Sequence, residues 1–258
     1  MTAAKAQQDW GWGGASASSG AKPVVLSRWQ LDLFVKCPRC FWLLKRHGVK
    51  QPDSYPLALN IAVDGLLKAE FDACRATGDR THPLLREHGV PARLFGDLER
   101  LRVWRNNFQG LRWSDPATGH TLFGAVDDVL EFPDGALAPL DYKASGAKEA
   151  KVYPSYQLQL DVYTFLLQCL GYRTAPQAYL AFYMVVKDAG FEGRLPFRGS
   201  LVAVNAQPER VLELFQRAVA LAMSESAPPA GTECDVCRWF TEAVPRMSAA
   251  TPQDPQHA

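Results

Sequence analysis

Two carboxylates and a lysine sit close together in the middle of this chain. Gly124-Ala125-Val126-Asp127 is followed, beyond a Pro133-Asp134-Gly135 turn signal, by Asp141-Tyr142-Lys143. Paired carboxylates hold a hard divalent cation such as Mg²⁺ or Mn²⁺ through oxygen. A lysine beside them can orient or activate a water and offset developing negative charge. Those are the groups that hydrolysis of a phosphodiester requires. Taken alone, Asp141 and Lys143 also read as a solvated ion pair at a strand end, because Asp-x-Lys arises often by chance.

The pattern around these residues says how they would be brought together. Leu122 to Phe132 reads as one strand, and Leu137 to Lys143 resumes an extended pattern after the turn. Side chains alternate across a strand, so Asp141 and Lys143 point to one face and Tyr142 to the other. A hairpin would bring Asp127 beside them. Asp128 follows Asp127 and faces the opposite way in a regular strand, and a bulge would exchange the two. Downstream, Tyr156-Gln157-Leu158-Gln159-Leu160-Asp161-Val162-Tyr163 reads as helix, with Gln159 and Tyr163 at i and i+4 on one face.

This series resembles the PD-(D/E)xK nuclease superfamily, and within it the RecB-like branch. That branch carries a Gly-x-x-Asp strand, an Asp-x-Lys strand, and a helix with glutamine and tyrosine four apart. The Gly-x-x-Asp register selects Asp127. The resemblance implies that Asp127, Asp141 and the backbone carbonyl of Tyr142 ligate the metal. It also implies that Lys143 acts on the water and that Gln159 and Tyr163 position metal-bound water or a substrate phosphate. A helix upstream often supplies a further ligand in this branch. Here Ala58 to Arg75 reads as that helix. Asp64 lies on or beside its apolar stripe of Leu67, Phe71 and Cys74, with Glu70 a second candidate. The expected fold is α/β, a restriction-endonuclease-like αβββαβ core with an N-terminal helical segment and a cysteine-tied C-terminal flap.

Six cysteines fall into two classes. Cys74 and Cys169 sit singly in helical patterns and read as core packing. Cys37-Pro-Arg-Cys40 and Cys234-Asp-Val-Cys237 are two C-x-x-C pairs near opposite ends of the chain. Four thiolates suit Zn²⁺ or a [4Fe-4S] cluster, and the alternative is two separate dithiols. Several RecB-like nucleases, including CRISPR-associated adaptation exonucleases, are similar in closing the domain with an iron–sulfur cluster. Their pattern has one early and three late cysteines, and this chain has two and two. Ser27 to Leu44 is also similar to their opening, a serine-led helix before a Cys-Pro-Arg motif.

The 258 residues suit one large domain. With 47% hydrophobic and 21% charged residues the chain can bury a sizeable core. A net charge of +1 gives no global field for nucleic acid. Local clusters exist at Arg39, Lys45, Arg46, His47 and Lys50, and at Arg100, Arg102, Arg105 and Arg112 interleaved with Trp104, Phe108 and Trp113. These suit either stacked single strands or snorkelling over core tryptophans. Lys148 and Lys151 read as phosphate contacts or as solvated loop residues. Residues 1–22 and 248–258 read as disordered tails flanking a domain over 23–247, with an insertion around 76–120. No apolar run approaches the roughly 18 residues of a membrane span, and the expected location is cytoplasmic. No Walker-type loop is present, so DNA unwinding would need a separate helicase partner, and a CRISPR or repair partner fits the resemblance. The expected function is metal-dependent hydrolysis of single-stranded DNA or duplex ends. The rival is a catalytically silent nuclease fold serving as a nucleic-acid-binding scaffold.

Overall fold

The computed structural model describes residues 22–52 and 58–250. Most of each expected tail lies outside the described residues. The chain begins with a short strand β1 (Val25–Ser27) and helix α1 (Arg28–Lys36). Ser27 caps α1 through a reciprocal box: its Oγ accepts from Gln30 N at 3.2 Å, and Gln30 Oε1 accepts from Ser27 N at 3.0 Å. This satisfies two backbone donors that a helix start otherwise leaves orphaned. The helix stops at Cys37, whose extended backbone restarts the chain as α2 (Pro38–His47), with Pro38 in the first turn where its missing N–H costs nothing. Leu31, Leu33 and Phe34 are buried, and Val35 is exposed.

Helix α3 (Ala58–Arg75) has the predicted bounds and buries Val63, Leu67 and Phe71. The segment read as an insertion carries α4 (Pro83–Glu87), β2 (Arg93–Leu94), α5 (Leu98–Arg105) and β3 (Leu111–Ser114). There follow β4 (Thr121–Gly124), β5 (Asp128–Glu131), β6 (Leu137–Ser145), α6 (Pro154–Cys169), β7 (Gln177–Val185), β8 (Phe197–Asn205), α7 (Glu209–Met223) and α8 (Asp235–Ala250).

The main sheet has strand order β2-β5-β6-β7-β8. β5 and β6 form the expected antiparallel hairpin, with Asp128 opposite Leu140. β6 and β7 are parallel, so the chain must cross over between them, and α6 is that crossover. A smaller sheet, β1-β4-β3, stands beside it. The expectation of one strand over Leu122 to Phe132 is corrected here: β4 and β5 belong to different sheets, separated at Ala125-Val126-Asp127. Hydrogen bonds pin that break. Val126 N donates to Trp104 O at 3.1 Å, Arg105 Nε donates to Asp127 O at 2.6 Å, and Tyr163 OH donates to Ala125 O. None of these tertiary partners is visible in a local alternation of apolar residues.

Both faces of the main sheet are covered, and β6 shows the period of two. Ala138, Leu140 and Tyr142 face α3 and α4, packing with Phe71, Leu84 and Leu85. The intervening residues face α6. On that side Leu160 packs on Ala178, Leu180 and Phe182 of β7. A third cluster joins α1, α2, α6 and α7 to the small sheet. The result is the restriction-endonuclease-like α/β core that the pattern predicted, with Asp141 and Lys143 on the α6 side.

Candidate active site and cysteine centre

Asp141 and Lys143 project from β6 toward α6, and Lys143 Nζ lies against Asp141 Oδ2. The same ammonium donates to Gln159 Oε1 at 3.0 Å and sits 4.5 Å from the centre of the Tyr156 ring. Gln159 Nε2 in turn donates to Tyr163 OH at 3.0 Å, and that hydroxyl donates to Ala125 O just before Asp127. One chain of hydrogen bonds therefore runs from the lysine along one face of α6 to the break that carries Asp127. The i, i+4 spacing of Gln159 and Tyr163 makes this possible. Gly124 is required by the same contact: a Cβ there would meet the Tyr163 ring at 2.9 Å and Arg28 Cβ at 3.1 Å.

Asp127 Oδ2 accepts from Tyr142 N at 3.1 Å, which places its carboxylate at the base of β6 beside Asp141. Asp141 is buried, and burial followed by the repulsion of Asp127 lifts its carboxyl from the usual range to about 7 against the pull of Lys143. Its Oδ2 touches the lysine off hydrogen-bonding angles and has no hydrogen-bond partner among the described residues. A buried carboxylate facing a second carboxylate is costly even with the Lys143 ammonium against it. A hard cation held by Asp127, Asp141 and a nearby backbone carbonyl would satisfy it, and the all-oxygen donor set fits Mg²⁺ or Mn²⁺. Tyr142 itself points the other way, as the alternation requires, and its hydroxyl donates to Asp128 Oδ2 at 2.6 Å.

The neighbouring aspartates are divided by this geometry. Asp128 is fully buried on the α3 side, where Arg75 Nη2 reaches both of its carboxylate oxygens at 2.6 Å and Arg105 Nη2 lies 3.1 Å away. Arg75 is itself nearly inaccessible, with 3% of its side chain exposed. This is a buried, fully partnered ion cluster that ties α3 and α5 to β5. Of the arginines read as a nucleic-acid cluster, Arg105 is thus internal. Trp104 stacks on Phe95, and Trp113 packs edge-on against Phe165 and Phe215. Phe108 is exposed, and Arg112 lies over the Phe123 ring.

Asp64 is half-exposed on α3 and reaches the site through a residue that sequence reasoning missed. Lys68 Nζ lies 2.8 Å from Asp64 Oδ2 and 3.1 Å from Asp127 Oδ1. Burial alone would lower its pKa, but the charge of Asp127, with that of Asp64, outweighs burial and raises it. The available signal was the i, i+4 relation of Asp64 and Lys68. Glu70 instead turns toward α4, where it contacts His82 at 2.8 Å. The three histidines of the middle segment are structural. His82 caps α4, His88 Nε2 accepts from Leu201 N, and His120 Nδ1 accepts from Val24 N.

The two C-x-x-C pairs meet. Sγ atoms of Cys37, Cys40, Cys234 and Cys237 all lie within 4.8 Å of one another, three of the residues being buried. They join α1 and α2 to the start of α8. Gly231 N donates to Cys37 Sγ at 3.3 Å. Against the effect of burial, this donor and the Cys40 N–H bring the Cys37 thiol down to about 7. Burial pushes Cys40 up to about 11. Gly231 packs so closely that a Cβ would lie 2.2 Å from Lys36 O. Cys74 and Cys169 are partly buried against the core, away from this group.

No helix among the described residues is long and apolar enough to cross a membrane. None of the curated proteins matches the chain. The solved structure titled "Crystal structure of SSO0001" is similar at 12% identity and a TM-score of 0.42, covering 86% of each chain. The family model of the PD-(D/E)XK nuclease superfamily matches residues 25–241, which span both carboxylates, the lysine, the Gln159/Tyr163 helix and all four clustered cysteines. The chain belongs to the PD-(D/E)XK nuclease superfamily.

Proposed function

We propose that this protein is a metal-dependent nuclease of the RecB-like branch that hydrolyses phosphodiester bonds in DNA. The observation that carries the reading is the convergence of Asp127, Asp141 and Lys143 beside α6. There the lysine is held by Gln159 and the side chains of Asp127 and Lys143 are 21% and 18% exposed. Asp127, Asp141 and the Tyr142 carbonyl would hold Mg²⁺ or Mn²⁺. The ion, when bound, polarises a phosphate oxygen and makes water a better nucleophile.

The remaining work falls to the chain's own groups. Lys143 keeps its ammonium beside the carboxylates, where it orients the attacking water and offsets charge gathering on the phosphate oxygens. Gln159 restrains that ammonium by accepting one of its protons, and Tyr163 restrains Gln159. Water adds to phosphorus as the bond to one ester oxygen breaks. The water proton passes to solvent or a nearby base, and the departing oxygen leaves as a hydroxyl after protonation. Asp64 and Lys68 line the approach from α3, and Lys68 holds Asp127 in place until a cation takes its share of that charge.

The test is cleavage of end-labelled single- and double-stranded DNA with Mg²⁺ or Mn²⁺, comparing wild type with Lys143→Ala. Cleavage that disappears in a variant of unchanged thermal midpoint supports the reading. Equal cleavage by both proteins contradicts the role of Lys143, and no cleavage by folded wild type favours the scaffold alternative.

A further inference from the structure

The four-cysteine centre has dimensions that distinguish between its two chemical candidates. Sγ of Cys37 lies 3.7 Å from that of Cys237, Cys40 lies 3.7 Å from Cys234, and Cys40 lies 3.4 Å from Cys237. Four sulfurs at about 2.3 Å from one Zn²⁺ form a tetrahedron with edges of about 3.8 Å. A four-iron cluster places its own iron and sulfide atoms between the thiolates, each of which binds a different iron, and holds them further apart. The surroundings oppose such an expansion. Gly231 is pressed against the Lys36–Cys37 backbone with no room for even a methyl group, and Cys37, Cys40 and Cys234 are 0–4% exposed.

The placement of the pairs supports the same choice. Cys37 is the N-cap of α2 and Cys40 lies in its first turn, while Cys234 immediately precedes α8 and Cys237 lies in its first turn. Each pair therefore presents its sulfurs at the positive end of a helix, which favours thiolates. Gly231 N adds a hydrogen bond to Cys37 Sγ, and Gln51 Nε2 approaches Cys234 Sγ at 3.8 Å. Such outer donors orient and tune sulfur ligands.

We infer that Cys37, Cys40, Cys234 and Cys237 bind one tetrahedral zinc ion that fastens the N-terminal helices to α8, and that no iron–sulfur cluster forms there. Each thiol that becomes a ligand gives its proton to solvent, and no electron is transferred. The centre is closed, with all four positions taken by protein, so its role is structural. It lies apart from the carboxylates and does not depend on the nuclease reading.

The experiment is metal analysis of the full chain, produced with both iron and zinc supplied and purified without oxygen, together with its visible absorption spectrum. The expected result is about one zinc per chain, no iron, and no broad visible absorption. Exchange with Co²⁺ should give the intense visible bands of a tetrahedral thiolate site, an outcome that needs no variant to fold. Cys237→Ser should lose the zinc and lower the thermal midpoint. About four irons per chain, with absorption bleached by dithionite, would overturn the inference. So would a metal-free wild type that ignores added zinc.

Discussion

Asparagine substitution at two adjacent positions should have opposite consequences. Asp128 is fully buried, takes two 2.6 Å contacts from Arg75, and accepts from Tyr142 OH and Arg105. Asp128→Asn removes the fully buried negative charge of that cluster, leaves Arg75 and Arg105 with the partly exposed Asp72, and turns an amide N–H toward buried guanidinium groups. Breaking a buried ion pair by removing one partner costs about 3–5 kcal/mol. That is a large share of the roughly 5–15 kcal/mol that holds a domain together. For a chain of this size each kcal/mol lowers the thermal midpoint by about 2–4 °C, so a fall of about 6–20 °C is expected. Asp127→Asn keeps an acceptor for Tyr142 N and relieves repulsion with Asp141, so its stability should change by about 1 kcal/mol or less. Its cleavage rate should drop on the order of 100-fold or more, because a charged group acting at the reacting centre is gone. The assay pairs calorimetric melting with DNA cleavage for each variant. A stable but inactive Asp128→Asn beside a destabilised Asp127→Asn would refute the division of roles between the two aspartates.

Three further outcomes follow from the same geometry. Asp141 has a folded pKa raised by burial and by Asp127 from an ordinary value of 3.8 to about 7, so the folded state resists its ionisation. The folded state binds the extra proton between those values, and metal-free stability should therefore fall as pH rises from about 4 to about 7. Thermal midpoints of wild type and Asp141→Asn over that range should diverge, and saturating Mg²⁺ should abolish the difference. Lys68→Met removes a cation 3.1 Å from Asp127, so Mn²⁺ should bind several-fold more tightly by calorimetry; weaker binding would mean that Lys68 preorganises the carboxylates instead. Gly231→Ala forces a methyl group to within 2.2 Å of Lys36 O and should cost about 1–3 kcal/mol in thermal melting, with a release of metal from the cysteine centre on heating at a lower temperature than wild type.

Much of the site was legible along the chain because its signals are local. The Asp141/Lys143 alternation follows from strand period and the Gln159/Tyr163 pair from helix period. The C-x-x-C spacing likewise separated the paired cysteines from Cys74 and Cys169. The bounds of α3 came from an uninterrupted apolar stripe.

What the chain could not reveal locally depends on partners far away in sequence. The extended pattern from Leu122 to Phe132 does not by itself place β4 and β5 in different sheets. The break exists because Trp104, Arg105 and Tyr163 hold its backbone groups from two other helices. Asp127 and Asp128 are chemically the same residue, and only Arg75 and Arg105 on one side, and Asp141 and Lys68 on the other, make one a structural anion and the other a candidate ligand. The spacing of two C-x-x-C pairs nearly 200 residues apart (194 between Cys40 and Cys234) sets no sulfur–sulfur distance. That distance is decided by how closely Gly231 can lie on the junction of α1 and α2. Periodicity and residue type thus determined which groups are available for chemistry, because both act within a few residues. Burial, charge pairing and close backbone approach decided which of them act together, because those depend on segments that only the folded chain brings into contact.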